Sequence, residues 1–416
     1  MSARRECDVL IVGGGLVGSA LGCALAQLPL STVLVEARDP RLLEQPSFDA
    51  RATALANGSQ RILDMLGVWR HAAAAAEPIE HIHISERGRF GAARIRAAEE
   101  GVSALGYTLE NRVLGRALWE VLDAAPRFEC LAPAAVTAVE ANVERVRVRV
   151  EVRRGEETIE IEAKLLVAAD GARSAVREAL GIGAHEHDYR QCALILNCTP
   201  EIPPRRRAYE RFTAEGPLAL LPLTGDRAAV IWTVPPDRAA ELAALPAPEF
   251  RDRLQSAFGQ RLGRIVRVGE RATYPLARVT AGLPLAPRVV LIGNAAVSLH
   301  PVAGQGFNLA LRDVAALADV LHGELRASSA GNADVGAERV RQRYHVWRDG
   351  DRRNVTRFTH GLIQLFGLDA PGFGVARGMG LVAFDLLPGA KAALARHTMG
   401  RAGRLPRLAR GLDLIS

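Results

Sequence analysis

At 416 residues the chain exceeds one ordinary domain and suits two, with room for a large core and for the kind of interdomain cleft where cofactors tend to sit. Hydrophobic residues at 49% and charged residues at 24%, without a low-complexity tract, exclude a disordered or fibrous chain. The net charge of +7 is nearly all arginine, Lys164 and Lys391 being the only lysines, and it is spread along the chain; this excludes nucleic acid as the partner and leaves a mild attraction to acidic membrane surfaces.

Met1 to Arg5 lead straight into the apolar run CDVLIV (residues 7–12), which leaves no room for a signal peptide. That run stops at Gly13-Gly14-Gly15, a helical apolar spacing follows, and residues 32–36 (TVLVE) form a second short strand: a βαβ unit of about 30 residues. Residues 51–66 carry helical periodicity, closed by Gly67, and residues 78–107 alternate as strands do. A helix is predicted over 111–123, then strands over 136–152 and 159–167 around the Arg153-Arg154-Gly155 turn. The last of these ends in Leu165-Leu166-Val167-Ala168-Ala169-Asp170-Gly171, apolar throughout, as expected of a parallel strand buried on both faces. From 185 to 234 short β segments broken by Pro and Gly predict a separate, largely antiparallel sheet. A further apolar strand at 288–292, a glycine-rich loop, helix over 308–325, a loop at 327–333 and helices to about Met399 complete the chain.

The glycine turn satisfies GxGxxG at Gly13, Gly15 and Gly18, with Leu16 and Val17 opening the helix. The glycines permit the tight turn, the approach of a pyrophosphate and the packing of helix on strand, while the helix N-terminus offers free amides. Glu36, 18 residues after Gly18 at a strand end, is placed to accept ribose hydroxyls. This predicts dinucleotide binding without separating FAD from NAD.

Two further segments carry a resemblance. Asp170-Gly171 and Gly293-Asn294, each closing an apolar strand, resemble the DG and GD motifs of the flavoprotein monooxygenases of the p-hydroxybenzoate hydroxylase fold. The resemblance implies that the GD position bonds the ribityl chain of FAD and that the DG motif lies beside FAD and NADPH; Asp170 also reads as a helix N-cap. Asn294 departs from the family's acid, keeping hydrogen-bonding capacity but not the charge. The loop His300-Pro301-Val302-Ala303-Gly304-Gln305-Gly306-Phe307-Asn308, with Arg312-Asp313 behind it, is the most specific signal. In the family it lies beside the isoalloxazine, so that amides from Gly304 to Asn308 and the helix dipole would stabilise anionic reduced flavin. With residues 49–55 (DARATAL), GNAA at 293–296 and the later AFDLLPGAK, the chain is similar over nearly its whole length to the ubiquinone-biosynthesis hydroxylases. It is most like the 2-polyprenyl-6-methoxyphenol hydroxylase branch, since relatives acting at other ring positions tend to carry GDAAH and NP where this chain has Asn294 and His300.

The resemblance implies an α/β fold with a discontinuous Rossmann-like FAD-binding domain (1–77, 101–182, 272–330), an inserted, mainly antiparallel substrate-binding sheet domain (78–100, 183–271) and a C-terminal helical region (331–416). It implies FAD as cofactor, NADPH or NADH as transient co-substrate, and O2, with oxygen passed from a flavin C4a-hydroperoxide to a polyprenylated phenol. Arg51 is then expected on the pyrophosphate, Arg112 beside the ribityl or phosphate groups, and Pro301 and His300 near the reacting ring, with no base nominated beyond the mere location of Tyr209 and Tyr274. A related enzyme acting on a soluble aromatic or an olefin, and a flavin-binding scaffold of a biosynthetic complex, are the alternatives. The pairs His81/His83 and His185/His187 lack a third ligand and read as solvated strand histidines rather than a metal site. Five cysteines without CxxC spacing and no apolar run of membrane-spanning length predict free thiols and a cytoplasmic protein. The apolar and basic tail is read as core helices first, and as a contact with the inner membrane face or with a complex partner second.

Overall fold

The computed structural model describes residues 3–41, 51–152, 157–282, 286–328, 333–368 and 372–415. Asp49, Ala50 and the Arg153-Arg154-Gly155 turn lie outside the described residues. The first strand, Ala3–Val12, pairs in parallel with Thr32–Val35 on one side and Glu157–Ala168 on the other. Phe128–Leu131 and Val289–Leu291 extend the parallel part, and Val146–Val152 and Ala134–Ala141 add antiparallel strands. Leu165, Leu166, Val167 and Ala168 are fully buried, in keeping with their unbroken apolar run. Val9, Ile11, Leu165 and Val167 share one core with helices Leu16–Leu25, Asn111–Leu122 and Gln305–Ala327, while Leu10, Leu166 and Leu291 pack on the opposite side.

A second, nine-stranded sheet is antiparallel apart from one parallel pairing, Arg207–Phe212 with His81–Glu86. Its backbone is Ala184–Pro200, a single strand of 17 residues where the Pro and Gly pattern predicts short pieces. The strand persists because its register shifts between Asp188 and Gln191 against Ala272–Ala281 and between Thr199 and Pro200 against Ile265–Val268, absorbing the irregular residues as bulges. Alternation sends Leu194, Tyr209, Leu218, Val230 and Trp232 to one face, covered by helices Pro236–Ala244 and Ala247–Phe258. The other face looks into a cavity described below.

Residues 51–66 are not one helix. Ala52–Ala56 is a strand paired antiparallel with Gly106–Glu110, and the helix begins at Asn57. Among the described residues the tail forms three α-helices, Glu338–Gly367, Phe373–Leu386 and Pro388–Thr398. The last two are not core helices: Gly374, Gly378 and Ala395 are their buried residues. Phe373–Leu386 is held to the second sheet by the bidentate pair Arg377–Glu86 (2.7 and 3.0 Å) and by Arg94, whose backbone and guanidinium both donate to Asp385.

Candidate active site

The glycine turn is built to bring strand, turn and helix closer than side chains allow. Gly13 has φ +104°, and a Cβ there would stand 2.6 Å from the Ala169 carbonyl oxygen; one on Gly18 would stand 1.8 Å from that of Gly13. The Glu36 carboxylate folds back on the turn, accepting from Gly14 N–H at 2.5 Å and Arg38 N–H at 3.1 Å. Gly15 is the N-cap residue of the first helix, Leu16 is buried in the core beneath it, and Val17 reaches the cavity.

Asp170 follows the central strand. Ser174 caps the short helix Ala175–Ala179, its hydroxyl accepting from Arg177 N–H at 3.1 Å, while Asp170 Oδ2 accepts from Val176 N–H at 3.2 Å. The capping role read for Asp170 is thus shared, and its Oδ1 is buried without a hydrogen-bond partner among the described residues. Gly171 adopts φ +89°. Gly293 packs on Val17, and Asn294 lines the cavity.

The loop from His300 turns through Gly304, left-handed at φ +59°, into helix Gln305–Ala327 with no side-chain cap and no acid in its first turn. First-turn amides have no partner inside a helix, so this N-terminus presents donors and a partial positive charge. Pro301, Gly304, Gly306 and Phe307 line the cavity. The Asn308 side chain is occupied in holding the loop, accepting from Ala56 N–H at 2.8 Å and donating to the Ala54 and Gly304 carbonyls at 2.8 and 2.7 Å. Gln305 donates to Ala303 O, and its Oε1 is left without a partner among the described residues. His300 is buried edge-on to Tyr189; its Nδ1 accepts from Val302 N–H, which places the ring proton on Nε2, and burial pulls its pKa down to about 4.

Arg51 lies over the Tyr274 ring and lines the cavity. Arg112 donates twice to Glu110 (2.7 and 3.0 Å), which also accepts from Arg227. Arg312 and Asp313 turn to the tail helix: Asp313 accepts from Arg348 at 2.6 Å and Arg352 at 2.8 Å, and Arg312 donates to Asp351 at 2.8 Å. His83 corrects the expectation of solvated histidines, being 7% exposed against Tyr209 with its pKa lowered to about 4 by burial and neighbouring arginines. His81 is half-buried, His185 is exposed, and His187 stands edge-on to Tyr189 and His360. Tyr209 packs into the core against Phe258.

These elements enclose a cavity of about 840 Å³. Its walls are the glycine loop, the second sheet through Ile84, Ala219 and Ile231, and the tail through Phe366, Leu381 and Phe384. It is mainly apolar, as ligand sites for hydrophobic molecules are. Sequence reasoning missed Thr53 and Asn111, which meet at 2.6 Å on the wall, and Glu210, the carboxyl group on the sheet face. The unpartnered Asp170 Oδ1 and Gln305 Oε1, the uncapped helix start and the side-chain-free glycine turn fit a bound dinucleotide with a polar, partly anionic head.

The family profile "FAD binding domain" matches residues 6–344. The chain belongs to this FAD-binding family. FAD is its cofactor, and the glycine turn and the loop beyond Pro301 are segments of an FAD-binding domain. Ubiquinone hydroxylase UbiL of Rhodospirillum rubrum is 37% identical over 416 residues, covering 99% of this chain and 95% of that protein. The 3-demethoxyubiquinol 3-hydroxylase of Escherichia coli is 34% identical over 352 residues, covering 84% and 87%. The fold is also that of p-nitrophenol 4-monooxygenase PnpA from Pseudomonas putida, with a TM-score of 0.79 at 18% identity over 97% of this chain and all of that one.

Proposed function

We propose that the protein is an FAD-dependent monooxygenase that uses NADPH or NADH and O2 to hydroxylate the ring of a polyprenylated phenol in ubiquinone biosynthesis. One observation carries this reading: the apolar cavity runs from the loop Pro301–Phe307 to the second sheet and the tail helices, joining the flavin loop to space suited to an aromatic ring with a hydrocarbon tail. FAD, when bound, supplies the redox chemistry and oxygen activation. On this reading residues 1–77, 101–182 and 272–330 hold FAD, and 78–100 with 183–271 cover the substrate. Glu36, Arg51, Arg112, Asp170 and Asn294 hold the adenosine, phosphate and ribityl parts, and the amides from Gly304 to Asn308 stabilise negative charge on the reduced ring system. Pro301 lies beside the reacting ring, and the apolar walls exclude water from the oxygen-transfer step. Purified protein is expected to show flavin absorbance, and a strain lacking it to accumulate a polyprenyl phenol whose unmodified carbon reports the ring position. Normal ubiquinone in that strain would sink the substrate reading, and failure to take up FAD would contradict the family assignment.

No single helix is long and apolar enough to cross a membrane among the described residues. Supporting a peripheral contact instead, Val375, Met379, Val382 and Leu386 form an exposed stripe along Phe373–Leu386, at spacings of four, three and four residues, with exposed Leu387 following it in sequence. The stripe is the surface we assign to the inner membrane face. Met379→Glu with Leu386→Glu should abolish flotation with anionic liposomes while flavin content stays unchanged. Undiminished flotation would assign the stripe to a protein partner or to no partner.

A further inference from the structure

The cavity's sheet wall carries one acid in an apolar row. Alternation along Arg207–Phe212 turns Ala208, Glu210 and Phe212 to the cavity, while Tyr209, which also borders it, packs its ring into the core behind. Across the sheet the register aligns Ala93, Ile84, Glu210, Ala219, Ile231 and Ile195, all of which line the cavity, so both flanking neighbours of Glu210 are apolar on each side. Its carboxyl group has no hydrogen bond or ion pair among the described residues, whereas Glu86 and Glu110, on or near the same sheet, are each fixed by arginine. A carboxyl group in an apolar wall without a partner disfavours the fold, and a methyl-bearing side chain would serve packing better. The position therefore points to a ligand.

We propose that Glu210 is the catalytic base that receives the phenolic hydroxyl of the substrate, an assignment that rests on the monooxygenase reading above. The hydroxyl donates to the carboxylate. The phenol O–H bond then breaks as a carboxyl O–H bond forms, and the electron pair left on oxygen delocalises to the ortho and para ring carbons, the ones that attack an electrophilic oxygen. Burial pushes the Glu210 carboxyl up to about 7, which brings it nearer the range of a phenol than an exposed acid would be. The other charged groups on the cavity wall are engaged: Arg51 lies over Tyr274, and Arg377 pairs with Glu86. The Tyr209 ring, though at the lining, packs in the core against Phe258 and His83, and His300 is buried behind the loop, which leaves Glu210 as the unpaired ionisable acceptor on the wall.

The test uses the FAD-loaded protein with 2-geranyl-6-methoxyphenol in detergent, hydroxylation being followed in single turnovers across pH. Because the base must be ionised, the wild-type rate is expected to rise with pH through about 7 and then level off. Glu210→Gln is expected to lose about a hundredfold or more and to lose that rising limb, with flavin absorbance unchanged. Glu210→Asp should recover part of the rate together with the limb, and Glu210→Leu should melt at a higher temperature than wild type. A Glu210→Gln variant that hydroxylates at the wild-type rate with the wild-type profile overturns the assignment, as does a Glu210→Leu variant that melts lower, which would make the carboxyl structural. A wild-type protein with bound flavin that is inert towards the probe overturns the substrate reading and the assignment with it.

Discussion

Asp313→Ala is expected to destabilise the fold by about 3–5 kcal/mol, seen as a lower midpoint in chemical denaturation. The carboxylate is 2% exposed and sits between Arg348 at 2.6 Å and Arg352 at 2.8 Å, so the substitution strands two buried guanidinium groups, one of which also donates to Tyr344 Oη and the Leu291 carbonyl. Asp351 still answers Arg348 at 2.7 Å but does not reach Arg352's position in the network, so the loss is only partly offset. The two arginines hold the Asp313 carboxyl below its ordinary value of 3.8. A depressed folded-state pKa adds stability above the unfolded value, and that stability falls away as acid takes the pH below about 3.8 towards the folded value. The variant should therefore lose part of the wild-type protein's stability change in that acid window. A variant with an unchanged midpoint would show that the network contributes little.

Gly18→Ala is expected to weaken FAD binding more than a hundredfold, measured by titrating apoprotein with FAD. Two effects oppose each other. Alanine favours an isolated helix by about 1 kcal/mol over glycine. Its Cβ, however, would lie 1.8 Å from the Gly13 carbonyl oxygen, and that neighbour is backbone, with no side chain to swing aside. Relieving the overlap moves the turn proposed to receive the FAD pyrophosphate, an overpacking penalty of about 3 kcal/mol or more, which exceeds the gain in helix propensity. Near-normal FAD affinity in the variant would show that the turn does not approach the phosphates.

The parts of the fold that could be read from sequence were those set by short-range rules. The glycine turn is one, because its contacts lie within a few residues. The run Leu165 to Ala168 is another, because burial on both faces suppresses alternation. Residues 52–56 were misread because an alanine-rich stretch suits either period, and their strand is decided by Gly106–Glu110, about fifty residues away in sequence. Arg312 and Asp313 sat legibly within the flavin-loop motif, yet their partners Arg348, Asp351 and Arg352 come from the next helix and no spacing announces them. Glu210 was hidden most completely. In AYERF it is one of two adjacent charged residues in a short strand, and only pairing with Ile84 and Ala219 reveals that its cross-strand neighbours are apolar. Local pattern thus recovered the glycine-rich turn, while the sheet wall of the cavity depended on strand register.

Helix Phe373–Leu386 is a wall one helix thick between two apolar surfaces, since Phe373, Arg377, Leu381 and Phe384 line the cavity while Val375, Met379, Val382 and Leu386 look outward. A greasy molecule arriving on that side would exchange one hydrocarbon environment for another, with little water to shed and little to regain. Its partitioning would then favour residence along the helix rather than release into solvent, and the bidentate Arg377–Glu86 tie, midway along the partition, would set how far the helix can lean aside. Turnover on long-tailed substrates would in that case be governed by the breathing of this thin wall, and short-tailed analogues, which need no such yielding, would report the chemistry alone.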